Sequence, residues 1–252
     1  MSNSTSTISA GWPTNWPANS FRGGPTALLI LAALGAALVG GFIGVSYFFV
    51  AHRPRTMGPE FVVSAIFVQL LVEGSAVLVI LAALPAVSKR SLRELGFYVP
   101  RPWQIGVAIL GAIAMVVVVE GGASLIQALT HTKHEQSVVE LFKQVVGNRR
   151  VMWLFAIFAI VLAPFMEEVI FRIFIFNVGL RWGGFWLGAI VSGLCFGAAH
   201  TDPYVLVPLA LGGIILCAVY YRTGNAFASM ITHGIFNAVT VFAIVFAPQL
   251  AQ

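Results

Sequence analysis

Glu167, Glu168 and Arg172 interrupt a stretch, Val151 to Leu180, that is otherwise almost wholly apolar. Each such residue disfavours membrane insertion by roughly 2.5 to 3.5 kcal/mol at a bilayer centre, so three on one helix must be paired, hydrated or functional. Glu168 and Arg172 stand four apart on one helical face, the orientation of an ion pair, whereas Glu167 is turned away by about 100° and has no partner in its own helix. The spacing assigns Glu168 and Arg172 to support and leaves Glu167 for chemistry. Pro164, without an N–H, predicts a kink and freed backbone groups just before the carboxylates. The last apolar stretches carry few other such groups: His200 after Phe196-Gly197-Ala198-Ala199, then His233 and Asn237 in His233-Gly234-Ile235-Phe236-Asn237. A desolvated glutamate can act as base on water, a neutral imidazole can relay the proton, and an amide with a second imidazole can donate to a developing oxyanion. Those are the parts of amide hydrolysis. No Ser or Cys stands at recognisable spacing from a base, which disfavours a covalent mechanism. Glu167, His200 and His233 are alternatively a zinc-ligand set, though there is no H-E-x-x-H helix and they fall on three separate spans.

Composition defines the elements that carry these groups. Of 252 residues, 59% are hydrophobic and 9% charged, with a mean hydropathy of +0.92, which predicts an all-α, polytopic membrane bundle. The net charge of +5 lies in short loops flanking apolar runs, as in proteins facing anionic lipid, and so excludes a nucleic-acid partner. Cys195 and Cys217 have no pairing pattern and read as core filler. Residues 1–26 read as a disordered tail, with Trp12 and Trp16 placed to touch the membrane surface. Residues 27–129 carry three spans: Ala27 to Ala51 with Gly40-xxx-Gly44, Phe61 to Val87 with Gln69 and Glu73 on one face, and Trp103 to Leu129 with Glu120. Gln69 and Glu73 read as an interhelical polar pair, and Glu120 as a second-rank catalytic candidate. Residues 130–150 read as an amphipathic interfacial helix opened by a Ser137–Glu140 capping box and closed by Gly147-Asn148, a lid, a substrate guide or a plain connection. Residues 151–252 form a four-helix core: Val151 to Leu180, Phe185 to Ala199, Tyr204 to Tyr221 and Ala226 to Pro248. That makes about seven transmembrane helices.

Depth brings the polar groups together. Counted at 1.5 Å per residue from the turn between Trp182 and Trp186, Glu167 and His200 both lie roughly 21 to 23 Å from that face, with His233 about 12 Å and Asn237 about 18 Å deep. They can surround one cavity, to which irregular backbone at Thr201-Asp202-Pro203 would admit water.

Glu167-Glu168-xxx-Arg172, Phe196-xxx-His200 and His233-xxx-Asn237, in this order and each on a hydrophobic helix, resemble the signature motifs of the CPBP (Abi) family of intramembrane proteases, which includes CAAX prenyl endopeptidases and bacteriocin-processing enzymes. The likeness covers about Val151 to Pro248, and Leu92-Arg93-Glu94-Leu95-Gly96-Phe97 is similar to a segment common before the third span in bacterial members. The resemblance implies an endopeptidase in which Glu167 and His200 activate water, His233 and Asn237 hold the oxyanion, and Glu168 and Arg172 support the site. The family has been treated both as metalloproteases and as metal-free glutamate proteases. The expectation is an enzyme with no required cofactor, zinc being the alternative, because a zinc-bound Glu167 could not also serve as base. The expected partners are the lipid bilayer and a membrane-associated peptide or protein substrate, and the expected location is a bacterial plasma membrane. The competing readings of the same cavity are a non-catalytic immunity or scaffold protein and a proton-coupled transporter.

Overall fold

The computed structural model describes residues 21–51, 58–132 and 137–246. Trp12, Trp16 and the side chain of Ser137, with its expected capping box, lie outside the described residues. The helices are α1 (Gly23–Ala51), α2 (Pro59–Ser88), α3 (Pro102–Thr130), α4 (Ser137–Lys143), α5 (Arg149–Ile157), α6 (Ala163–Glu168), α7 (Asn177–Ala199), α8 (Pro203–Thr223) and α9 (Ala226–Phe246). Two π-helical stretches, π1 (Phe158–Leu162) and π2 (Val169–Phe176), flank α6. No strand occurs among the described residues, so the protein is an all-α bundle. Proline opens α2, α3 and α8, where its fixed φ suits the first turn and its missing N–H leaves no orphan.

Among the described residues, six helical runs are long and apolar enough to cross a membrane, and the fourth, Arg149–Ala199, has 51 residues. At 1.5 Å per residue that run would extend about 76 Å, far beyond the roughly 30 Å of a hydrocarbon core. It is a hairpin. Gly183 (φ −150°, ψ 22°) and Gly184 (φ 72°, ψ −170°) break it, and a Cβ on Gly179 would sit 2.6 Å from Gly188 Cα, so the two arms fold back in backbone contact. With the two arms of this hairpin counted separately, the described residues hold seven long apolar helical segments, and the protein is a multi-pass integral membrane protein. Its exposed Leu, Ile, Val and Phe side chains are the lipid-facing surface.

α1 packs on α2 through Gly40 and Gly44: Cβ atoms there would strike Leu71 O and lie 3.2 Å from Val68 Cα, which gives the Gly-xxx-Gly spacing a contact. α3 lies against α8 and α9, and α7 against α8. Cys217 is buried among apolar side chains, whereas Cys195 is exposed and fills no core.

The loop between α2 and α3 is stapled to the α8–α9 turn. Gly96 (φ 99°) accepts from Ala226 N at 2.9 Å, Tyr220 Oη donates to Leu95 O at 2.9 Å, Asn225 Nδ2 to Tyr98 O at 2.7 Å, and Gln104 Nε2 to Thr223 O at 2.7 Å. This fixes α2 and α3 against the helices that carry the candidate site. In the connection after α3, Val139, Phe142 and Val145 are buried while Val146 is exposed. Gly147-Asn148 does not cap the end of α4. Asn148 caps the start of α5, its Oδ1 accepting from Val151 N at 3.3 Å, because a short polar side chain suits an N-cap better than a helix end.

Candidate active site

The polar groups of the site are set by what π1 does to its own carbonyls. In π1 each carbonyl pairs five residues ahead, so Ala163 N donates to Phe158 O. The donor that Ala159 O would then need is the N–H of residue 164, which is proline. α9 supplies the substitute: Asn237 Nδ2 donates to Ala159 O at 2.7 Å, and Gly234 comes so close that a Cβ there would lie 2.7 Å from Ile160 O. Pro164 thus acts through a π-helical turn, and residues 157, 162 and 163 around the stretch keep right-handed helical φ and ψ. The same device recurs in π2, where Asn177 Nδ2 donates to Arg172 O (3.2 Å) and Ile173 O (3.0 Å), and Ser192 Oγ to Phe171 O (2.8 Å). The expectations from sequence did not include Asn177 or Ser192. Their signal is a buried polar side chain in an apolar helix, which must find a partner.

α6 and π2 carry the acidic pair. Glu168 Oε1 and Arg172 Nη1 are 2.9 Å apart, both side chains fully buried, and Arg172 Nη2 donates to Gly213 O at 3.4 Å. The guanidinium lies 4.4 Å from the centre of the Phe196 ring. Phe196 also packs edge-on against His200 (4.9 Å) and His233 (5.4 Å), so one ring fixes the positions of a cation and both imidazoles. The sequence held this signal in Phe196-xxx-His200, four apart on one face.

His233 joins the two carboxylates. Its Nδ1 is 3.1 Å from Glu168 Oε1 and its Nε2 is 3.7 Å from Glu167 Oε2. A carboxylate held by Arg172 can only accept, so His233 presents Nδ1–H to Glu168 and its Nε2 faces Glu167. His200 is oriented in the same sense: Nδ1–H donates to Phe196 O at 2.8 Å, which leaves Nε2 as the acceptor of the neutral ring. The chain Arg172–Glu168–His233–Glu167 therefore runs from a dry interior to a cavity.

That cavity has a volume of about 370 Å³. Glu167, His200, His233 and Asn237 all line it, from α6, the end of α7, and α9. Gln69 and Glu73 of α2 line it too, joined by a 2.5 Å bond from Gln69 Nε2 to Glu73 Oε1. The pair lies within one helix, facing the cavity, where the sequence reading had it bridging helices. Glu120 does not reach the cavity and is exposed on α3. Val139, Leu141 and Phe142 of α4 cover part of the cavity, and Thr201, which turns the chain between α7 and α8, lies at its edge. The donor types of a zinc site are present, but among the described residues no three His, Cys, Asp or Glu side chains gather as ligands of one ion.

Residues 149–239 match the family described as type II CAAX prenyl endopeptidase Rce1-like. The chain is 26% identical over 199 residues to the membrane-embedded CAAX protease MroQ of Staphylococcus aureus, a match spanning 76% of this chain and 79% of that protein. It is 31% identical over 159 residues to an uncharacterised 24.3 kDa protein of Escherichia coli, spanning 61% of this chain and 65% of that one. No solved structure matches. The matched residues 149–239, which hold all four cavity-lining candidates, are similar to the Rce1-like CAAX protease family. Peptide hydrolysis is the class of chemistry that this similarity supports.

Proposed function

We propose that the protein is an intramembrane endopeptidase that hydrolyses a peptide bond of a membrane-associated peptide or protein, with Glu167 as general base and no required metal. The observation that carries this reading is that Glu167, His200, His233 and Asn237 all line one cavity. Glu167 takes a proton from water while the Nε2 lone pair of His200 orients it, and the water oxygen attacks the scissile carbonyl carbon. The oxyanion is met by the second amide N–H of Asn237, the first being engaged by Ala159 O. His233 can donate from Nε2 only as an imidazolium, since its Nδ1–H already serves Glu168. Collapse of the tetrahedral intermediate breaks the C–N bond, whose electron pair stays on nitrogen, and the nitrogen takes up a proton that balances the one water gave to Glu167. The substrate class follows from the place of the cavity, inside a membrane bundle, and from the family and relative named for CAAX cleavage.

The test is a comparison of membrane peptides from cells carrying the wild-type or the Glu167→Gln protein, together with cleavage by both purified proteins after exhaustive chelation. Glu167→Gln is expected to lose about 10²-fold or more of the activity while remaining folded and inserted, and the chelated wild type is expected to stay active. Full activity of the variant overturns the assignment of Glu167. Stoichiometric zinc, with activity lost on chelation and restored by zinc, overturns the metal-free mechanism.

A further inference from the structure

Glu73 has no part in the mechanism above and lies outside the family-matched residues 149–239, yet its side chain faces the same cavity as Glu167. Gln69 Nε2 holds Glu73 Oε1 at 2.5 Å, while Glu73 Oε2 is buried with no protein hydrogen-bond partner. Glu167 Oε2, on the wall of the same cavity, is likewise buried without a hydrogen bond. Two carboxylates facing one cavity inside an apolar helical bundle share one negative charge and one proton more readily than they carry two charges. Glu167 faces the imidazole Nε2 of His233 at 3.7 Å, whereas the group beside Glu73 is the neutral amide of Gln69.

We propose that Glu73 is the general acid of the reaction, delivering its proton to the departing nitrogen while Glu167 serves as base; this rests on the endopeptidase reading given above. Water gives its proton to Glu167 and its oxygen to the carbonyl carbon. When the C–N bond breaks, its electron pair stays on nitrogen, which takes the proton from Glu73 Oε2. The site is then left with a protonated Glu167 and an ionised Glu73, and transfer of that proton from Glu167 to Glu73 through cavity water restores the starting pair. No co-reactant other than water is consumed. Gln69 is a positioning residue, holding Oε1 so that Oε2 carries the proton.

Two measurements test this. Infrared spectra of the wild-type protein in phosphatidylcholine nanodiscs at neutral pH should contain a protonated-carboxyl C=O band that Glu73→Gln removes; a spectrum unchanged by that substitution overturns the proposal without any substrate. For kinetics, the probe is the membrane peptide whose cleavage is lost in Glu167→Gln cells, made as the amide and as a p-nitrophenyl ester of the same acyl segment, whose leaving group needs no proton. Glu73→Gln should lose about 10²- to 10⁴-fold on the amide and less than tenfold on the ester, with an unchanged melting temperature. Glu167→Gln should lose both. Equal losses of Glu73→Gln on the two substrates, or none, overturn the acid role while leaving the base in place, whereas retention of both activities by Glu167→Gln overturns the underlying reading instead. If Glu73→Gln does not accumulate, Glu73→Asp carries the same comparison, and an ester-to-amide ratio equal to that of the wild type overturns the proposal.

Discussion

Where the α2–α3 loop meets the α8–α9 turn, the polar groups are closed on one another: Tyr220 Oη on Leu95 O, Asn225 Nδ2 on Tyr98 O, Gln104 Nε2 on Thr223 O, and Ala226 N on Gly96 O. Around the cavity, Glu73 Oε2, Glu167 Oε2 and Glu168 Oε2 are buried without a hydrogen-bond partner. A buried polar atom left unmatched disfavours folding by about 1 to 3 kcal/mol, so the first arrangement is that of a clamp and the second that of a site holding capacity for substrate and protons. The stapled end keeps the open end in register, since α8 and α9 take part in both and the stapled loop directly follows α2. Substitutions at the staple should therefore lower stability with little effect on turnover in the surviving protein, whereas conservative substitutions at the cavity should do the reverse.

Arg172 is the point at which that contrast breaks, because it belongs to the site by position and to the scaffold by energetics. Arg172→Ala leaves Glu168 buried and unpaired, an effect on the order of 3 to 5 kcal/mol, and it frees His233 from a fixed carboxylate. Both accumulation and melting temperature should drop, and activity should be lost in what remains folded. A melting temperature equal to that of the wild type would remove the supporting role and make Glu168 a candidate base.

Gly96→Ala probes the clamp. Its φ of 99° and the 2.7 Å approach of an added Cβ to Ala226 N admit no side chain, and the strain should amount to about 1 to 3 kcal/mol, seen as a lower melting temperature with kcat per folded molecule preserved. Loss of kcat without loss of stability would show that the clamp and the cavity are not separable. Tyr220→Phe removes the donor to Leu95 O and the acceptor of Asn177 Nδ2 and should lower stability by about 1 kcal/mol, again without changing kcat.

The smallest effect is expected at Glu94. The backbone N–H of Ser91 first, then its hydroxyl and Arg90, hold the exposed Glu94 carboxyl below the usual carboxylate range. A carboxyl lowered in the folded state contributes stability that is complete above its unfolded value and is lost as pH falls through the folded one. The difference in melting temperature between wild type and Glu94→Gln should therefore be present at neutral pH and shrink on acidification. A difference that grows in acid would reverse the assignment.

Much of this architecture was legible in the order of residues. Apolar runs bounded by Pro, Gly and basic loops located the spans, because a bilayer demands about 20 apolar residues per crossing whatever the tertiary arrangement. Type and spacing marked Glu167, Glu168, Arg172, His200, His233 and Asn237, because an ionisable group in such a run stands out against its neighbours. The two π-helical stretches were not legible: their formation depends on side chains from other helices, Asn237 and Ser192, taking the carbonyls released, and no local pattern records that. Nor was the place of Glu73. Its depth along α2 and its side of the helix follow from how Gly40 and Gly44 seat α1 on it, and from how the Leu95–Gly96 staple sets where it ends. The sequence by itself determined which groups could do chemistry and that they lie in a membrane, since composition and 3.6-residue spacing are local properties. Only the tertiary structure decided which of them share a cavity, because that depends on the rotation and depth of α2, α6, α7 and α9 relative to one another, and contacts distant in the chain set those quantities.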